Sequence, residues 1–138
     1  MSIQKQFIAT KALIVRDGKM LLLQESTEYK DGTNAGKWDV PGGRVDKGQH
    51  FAESLAREIQ EECGLSLKSY KPVHVDEWRP TVRGEEWQIV GIYFLCEVEP
   101  GEAVLSKDHT AFDWVPLDQL DDGREYNSGV RNALEYLK

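Results

Sequence analysis

GGRVDKGQHFAESLAREIQEECGL, residues 42–65, decides how this chain folds and what it can hold. The stretch opens on a glycine pair, passes through polar turn residues, and becomes an amphipathic helix expected over Gln49–Cys63. Gly64 then stands where a helix closes in a left-handed cap. At about 100° per residue, Phe51, Leu55, Ile59 and Cys63 step along one side, joined by Ala52 and Ala56, and form the face to be buried. Glu58 and Glu62 fall on the border of that face, Glu61 lies further out, and Glu53 and Arg57 are spaced to pair across the surface. A Glu-rich helix is ordinarily just a solvated helix. Here, however, Glu58 and Glu62 are like charges one turn apart, which is mildly destabilising. They also flank apolar surface, where desolvation adds to the cost. A hard divalent cation offsets both penalties. Mg²⁺, or Mn²⁺ in its place, takes carboxylate oxygens and water and shares the rest of its shell with phosphates. The Gly42-Gly43 turn lets backbone carbonyls approach the same ion.

Outward from this stretch the chain reads mostly as strands. Phe7–Val15 and Met20–Leu23 are apolar and β-rich, and Asp17-Gly18 between them is a hairpin signal. Ser26–Lys37 is polar and reads as a loop, followed by a short extended Trp38–Val40. Leu67–Trp78, Glu86–Val98 and Phe112–Val115 read as further strands. Tyr126–Leu137 is expected to be a terminal helix with Val130, Leu134 and Leu137 on one face. No repeat, linker or low-complexity tract divides the chain, so residues 1–138 are expected to form one α/β domain. Two helices covering the faces of a mixed β-sheet make an α/β/α sandwich.

Composition narrows the classes. The chain has 138 residues, 40% of them hydrophobic, enough for a core. A net charge of −7 argues against a nucleic-acid surface. No apolar run reaches the ~18–20 residues of a membrane span. The opening MSIQKQFIAT lacks the apolar stretch of a signal peptide. The two cysteines, Cys63 and Cys96, sit in apolar patterns and read as reduced buried thiols. A cytoplasmic location, without membrane or nucleic-acid partners, is the expectation.

The stretch resembles the Nudix box: Gly, five residues, Glu, seven residues, then Arg-Glu-apolar-any-Glu-Glu-any-Gly-apolar. It runs Gly43, RVDKG, Gln49, HFAESLA, and Arg57-Glu58-Ile59-Gln60-Glu61-Glu62-Cys63-Gly64-Leu65. Every fixed position matches except Gln49, and WDVPGG before the box and DWVPLDQL after it also resemble Nudix domains, so the likeness covers most of the chain. It implies the Nudix α/β/α sandwich and Mg²⁺-dependent hydrolysis of a small-molecule nucleotide, in a monomer or homodimer. Carried onto this chain, Glu58 and Glu62 match the main metal-binding carboxylates, Glu61 the auxiliary one, and the Gly43 carbonyl a backbone ligand. Glu61 and Glu62 thereby also stand among the catalytic positions, with Arg57 as the residue that orients the glutamates. SKDHTAFDWV resembles an acidic-His-x-x-x-x-Trp stretch of the family, which makes Asp108 a metal ligand, a general base or an ordinary loop residue.

Two positions depart from the family. Glutamine at 49 keeps one acceptor for Arg57 but loses a charge, implying lower metal affinity or rate with hydrolysis retained. Glu25 stands where relatives often carry an arginine, which leaves the phosphate contact to Lys37, Arg44, Arg79 or Arg83. The tail EYNSGVRNALEYL resembles the MutT-like branch, where an asparagine before the last helix reads a purine edge. Asn127 is either that reader or the helix N-cap. Trp78 and Tyr126 are stacking candidates. Three activities follow from the resemblance: a nucleoside triphosphate pyrophosphatase, a hydrolase of ADP-ribose or another nucleoside diphosphate derivative, and a nucleotide-binding module weakened in catalysis.

Overall fold

The computed structural model describes residues 2–26, 36–127 and 129–137. Its chain runs β1 (Lys5–Arg16), β2 (Lys19–Glu25), β3 (Trp38–Asp39), β4 (Gly42–Arg44), α1 (Phe51–Cys63), β5 (Leu67–Trp78), β6 (Thr81–Val82), β7 (Glu85–Val98), β8 (His109–Pro116) and α2 (Val130–Leu134). Asp17 and Gly18 both take positive φ, 52° and 75°, and turn β1 tightly into β2. The sheet is mixed: β3, β2, β1, β7 and β5 lie side by side, with β8 on β2 and β4 on β1. Only the β1–β7 pairing among these is parallel, from Lys5 opposite Trp87 to Ile14 opposite Cys96.

The apolar runs of β1, β2 and β7 are nearly continuous because both faces of the sheet are covered. Alternate residues serve opposite cores. Ala12, Ile14, Leu21, Leu23, Phe94 and Cys96 pack with Leu55, Ile59 and Cys63 of α1. Leu13, Met20, Leu22 and Tyr93 pack on the other side with Val130, Ala133 and Leu134 of α2. The α/β/α sandwich expected from the sequence is the architecture observed. Neither Cys63 nor Cys96 is in a disulfide, and both are buried.

Several details differ from the sequence reading. α1 starts at Phe51 with His50 as N-cap, and Phe51 is 47% exposed, stacked on Phe94 rather than sunk in the core. Ser54 is buried in its place. The terminal helix is shorter than Tyr126–Leu137, being α-helical only over Val130–Leu134 before a 3-10 turn. Residues 125–127 are held by β3 instead: Trp38 N–H donates to Glu125 O and Asn127 N–H to Trp38 O. Most of the expected Ser26–Lys37 loop lies outside the described residues.

Candidate active site

Two glycines and two glutamates bring β4 against α1. β4 pairs antiparallel with β1, with Lys11 opposite Gly42 and Thr10 opposite Gly43. A Cβ on Gly42 would lie 2.2 Å from the Thr10 carbonyl oxygen, so this approach requires glycine. The Gly42 N–H donates to Glu62 Oε2 at 2.7 Å. A Cβ on Gly43 would stand 2.7 to 2.9 Å from the carboxylate atoms of Glu58, so that carboxylate rests directly on the Gly43 backbone. The helical spacing of four thus delivers both carboxylates to one glycine turn.

The electrostatics of the pair are costly. Burial pushes the Glu62 carboxyl up to about 8, against the Gly42 hydrogen bond and Lys11, which favour ionisation. Burial also raises Glu58, opposed by Arg57, whose Nη2 lies 3.3 Å from Glu58 Oε1. A divalent cation would reverse this penalty, since it stabilises the ionised form. Glu58, Glu62 and the Gly42-Gly43 backbone offer oxygen donors only, which suits Mg²⁺ or Mn²⁺, ions that leave much of their shell to water and phosphate. Among the described residues, no three His, Cys, Asp or Glu side chains stand grouped as a complete cage.

Beside Glu62 lies an open pocket of about 210 Å³, also lined by Lys11, Glu25, Asp39, Asp108 and His109. Lys11 Nζ donates to Asp39 Oδ2 at 2.9 Å. Asn127 Nδ2 donates to the same oxygen at 2.7 Å and to Glu25 Oε2 at 3.5 Å. Burial raises the Glu25 carboxyl and lowers His109, favouring the neutral imidazole. The sequence reading does not single out Lys11 or Asp39, and it marks Glu25 only as a departure. The available signal is a lysine inside the apolar run IATKALIV, a charge that a buried strand carries only when it is paired.

The predicted site residues divide. Glu58, Glu62 and Gly43 come together, and Asp108 lines the adjoining pocket. Glu61 does not join them; it lies at the surface, 3.5 Å from Arg57 Nη1. Arg57 also reaches Asp46 and Glu58, and Nη2 donates to Gln49 Oε1 at 3.3 Å, a bond that glutamine is expected to keep. Arg44 stacks over Phe7, 4.4 Å from its ring centre, instead of facing the pocket. Lys37 pairs with Glu125 and Arg79 with Glu77, and neither they nor Arg83 line the pocket. Trp78 packs on Gly91, where a Cβ would be 2.5 Å from its ring. The Tyr126 hydroxyl is committed to the Leu120 carbonyl. Asn127 is not the N-cap, a place taken by Gly129 without a side-chain cap. It clamps two carboxylates, and its Oδ1 is buried without a hydrogen-bond partner among the described residues.

The chain is similar to proteins of one known family. Residues 5–136 match the model of the NUDIX domain. The nucleoside triphosphatase NudI of Escherichia coli is 30% identical over 115 residues, 78% of this chain and 80% of that protein. Nudix hydrolase 6 of Arabidopsis thaliana is 31% identical over 104 residues, covering 73% of this chain; the match spans only 35% of that longer relative. The crystal structure of a MutT NUDIX hydrolase from Burkholderia pseudomallei superposes with a TM-score of 0.81 at 31% identity, covering 96% of this chain and 98% of that one.

Proposed function

This chain belongs to the Nudix hydrolase family, in its MutT-like branch, and from that premise we propose that it is a Mg²⁺-dependent pyrophosphohydrolase of nucleoside triphosphates. The observation that carries the reading is the seating of Glu58 and Glu62 on Gly43 and Gly42 beside an open acidic pocket. Hydrolysis adds water across one phosphoanhydride: a new P–O bond forms from water, one bridging P–O bond breaks, and a monophosphate and pyrophosphate leave.

Each group has a part in this reading. Glu58, Glu62 and the Gly43 carbonyl would hold the cation, which when bound would neutralise phosphate charge and polarise the phosphorus. Arg57 would orient Glu58 through its ion pair, with Gln49 accepting from the same guanidinium. Asp108, on the pocket wall, would take the proton from the attacking water. Asn127 holds Asp39 and Glu25 in place through its Nδ2 donors. Glu61 enters only as the outer partner of Arg57.

The test is a panel of nucleoside triphosphates, diphosphates and ADP-ribose incubated with Mg²⁺, Mn²⁺ or EDTA, with the products identified. Metal-dependent release of pyrophosphate and monophosphate from triphosphates is expected. Release of phosphate alone, preference for ADP-ribose, or turnover in EDTA would overturn the reading.

A further inference from the structure

We propose that Lys11 is the cation that contacts the substrate's phosphates in this site, a role that deepens the proposed pyrophosphohydrolase reading and rests on it. Glu25 lines the pocket with a carboxylate, and Lys37, Arg44 and Arg79 are engaged elsewhere. Among the described residues that line the pocket, Lys11 carries the one fixed positive charge, against Glu25, Asp39, Glu62 and Asp108. A polyanion entering this pocket meets a surplus of negative charge that a metal offsets only in part.

The backbone explains why a strand lysine reaches the site. Lys11 lies directly opposite Gly42, and Gly42 binds Glu62 through its N–H. A Cβ on Gly42 would stand 3.0 Å from Lys11 Cδ, so the bare glycine gives the lysine stem its course. Lys11 and Glu62 therefore flank one residue and border one pocket, the first with a charge for phosphate oxygens and the second with a charge for the cation. The side chain is nine-tenths buried, 9% exposed as a residue, so its charge acts in a poorly screened setting. Of its three N–H donors, one goes to Asp39, and no other protein partner exists among the described residues. Asp39 itself is shared with Asn127, so the pair is held in position from both sides. A preorganised ammonium with spare donors is the arrangement that stabilises charge on a transferred or departing phosphate.

The simpler account is that Lys11 serves only as the counter-ion of Asp39. The experiment compares wild type, Lys11→Met, Lys11→Gln and the double variant Lys11→Met/Asp39→Asn, each first checked for folding by melting. Two titrations are followed by calorimetry: Mg²⁺ into the free protein, and inorganic pyrophosphate into the Mg²⁺-loaded protein. Removing a positive charge beside an acidic cluster is expected to tighten Mg²⁺ several-fold. Losing a phosphate contact is expected to weaken pyrophosphate at least ~10-fold and to lower kcat ~10²-fold, the scale of one preorganised donor. Lys11→Gln carries the same test if the methionine variant does not fold. Unchanged pyrophosphate affinity in the single variants, or activity regained in the double variant, would overturn the proposal. If wild type hydrolyses nothing in the nucleotide panel, the pyrophosphohydrolase reading fails by itself, and the pyrophosphate titration still decides Lys11.

Discussion

At the scale of single residues, Glu62 is a carboxyl that the metal-free fold holds at a cost. Its folded value of about 8 stands above the ordinary 4.5, so its contribution to stability is full below about pH 4.5 and is lost as pH rises through about 8. Glu62→Gln keeps an acceptor for the Gly42 N–H and deletes the charge. In EDTA the variant is expected to melt above wild type at about pH 8.5 and to match it more closely near pH 5, each kcal/mol being worth roughly 3–5 °C. Mg²⁺ is expected to raise the Tm of the wild type, and the same substitution to cancel that rise. Melting curves with and without metal check both statements, and a variant that melts lower than wild type at high pH contradicts the first. Gln49 is a milder case. Arg57 Nη2 lies 3.3 Å from both Gln49 Oε1 and Glu58 Oε1. A carboxylate at 49 would draw the guanidinium toward itself and release Glu58 to the cation. Gln49→Glu is thus expected to tighten Mg²⁺ binding by up to ~10-fold, the scale of groups that support metal ligands. No change in a Mg²⁺ titration of activity would mean that the glutamine costs nothing.

At the scale of elements, the β4–α1 junction is what brings Glu58 and Glu62 together in the candidate site. Gly43→Ala would press a methyl group into the Glu58 carboxylate, a movable side chain, so the fold should survive with a loss of about 1 kcal/mol or less. Metal-dependent activity should fall by ~10-fold or more, because the carboxylate must swing away. Assays alongside melting curves separate the two effects. Gly91→Ala differs in kind, because Trp78's ring fills the space and a loss of stability of ~1–3 kcal/mol is expected instead. The helix α1 is legible in the amino-acid sequence because its apolar face, its paired glutamates and its Gly64 cap are all local signals. β4 is not, because three residues led by glycines show no alternation, and their pairing is set by β1, which lies more than thirty positions earlier. The terminal helix reads too long for a similar reason: the competing hydrogen bonds of residues 125–127 come from Trp38. Lys11 escapes a sequence reading because a strand pattern shows that a charge is out of place without showing which carboxylate answers it. Asp39 does so across the sheet.

For the whole molecule, two cores share one sheet and should fail together. Cys63 and Cys96 lie in the same α1-side core, and burial pushes both thiols up to about 12. Neither should react with a thiol reagent near pH 8 while the fold persists, and both should react at a single rate set by global opening. Labelling of both thiols faster than global unfolding would show that the α1 side of the sandwich opens separately. The parallel pairing of β1 with β7 has a further consequence, in the order of synthesis. Gln6 and Gln88, neighbours in the folded sheet, are 82 positions apart. At about 5–20 residues per second, a ribosome leaves the first strand waiting roughly 4–16 s for its partner. A strand paired with β2 and β4 but with its β7-facing edge open for that long invites capture by other nascent chains, and the lysines at its start and middle work against such capture. Lys11 would then serve twice: early, as a guard on an unfinished sheet, and later, as the charge inside the pocket that the sheet completes.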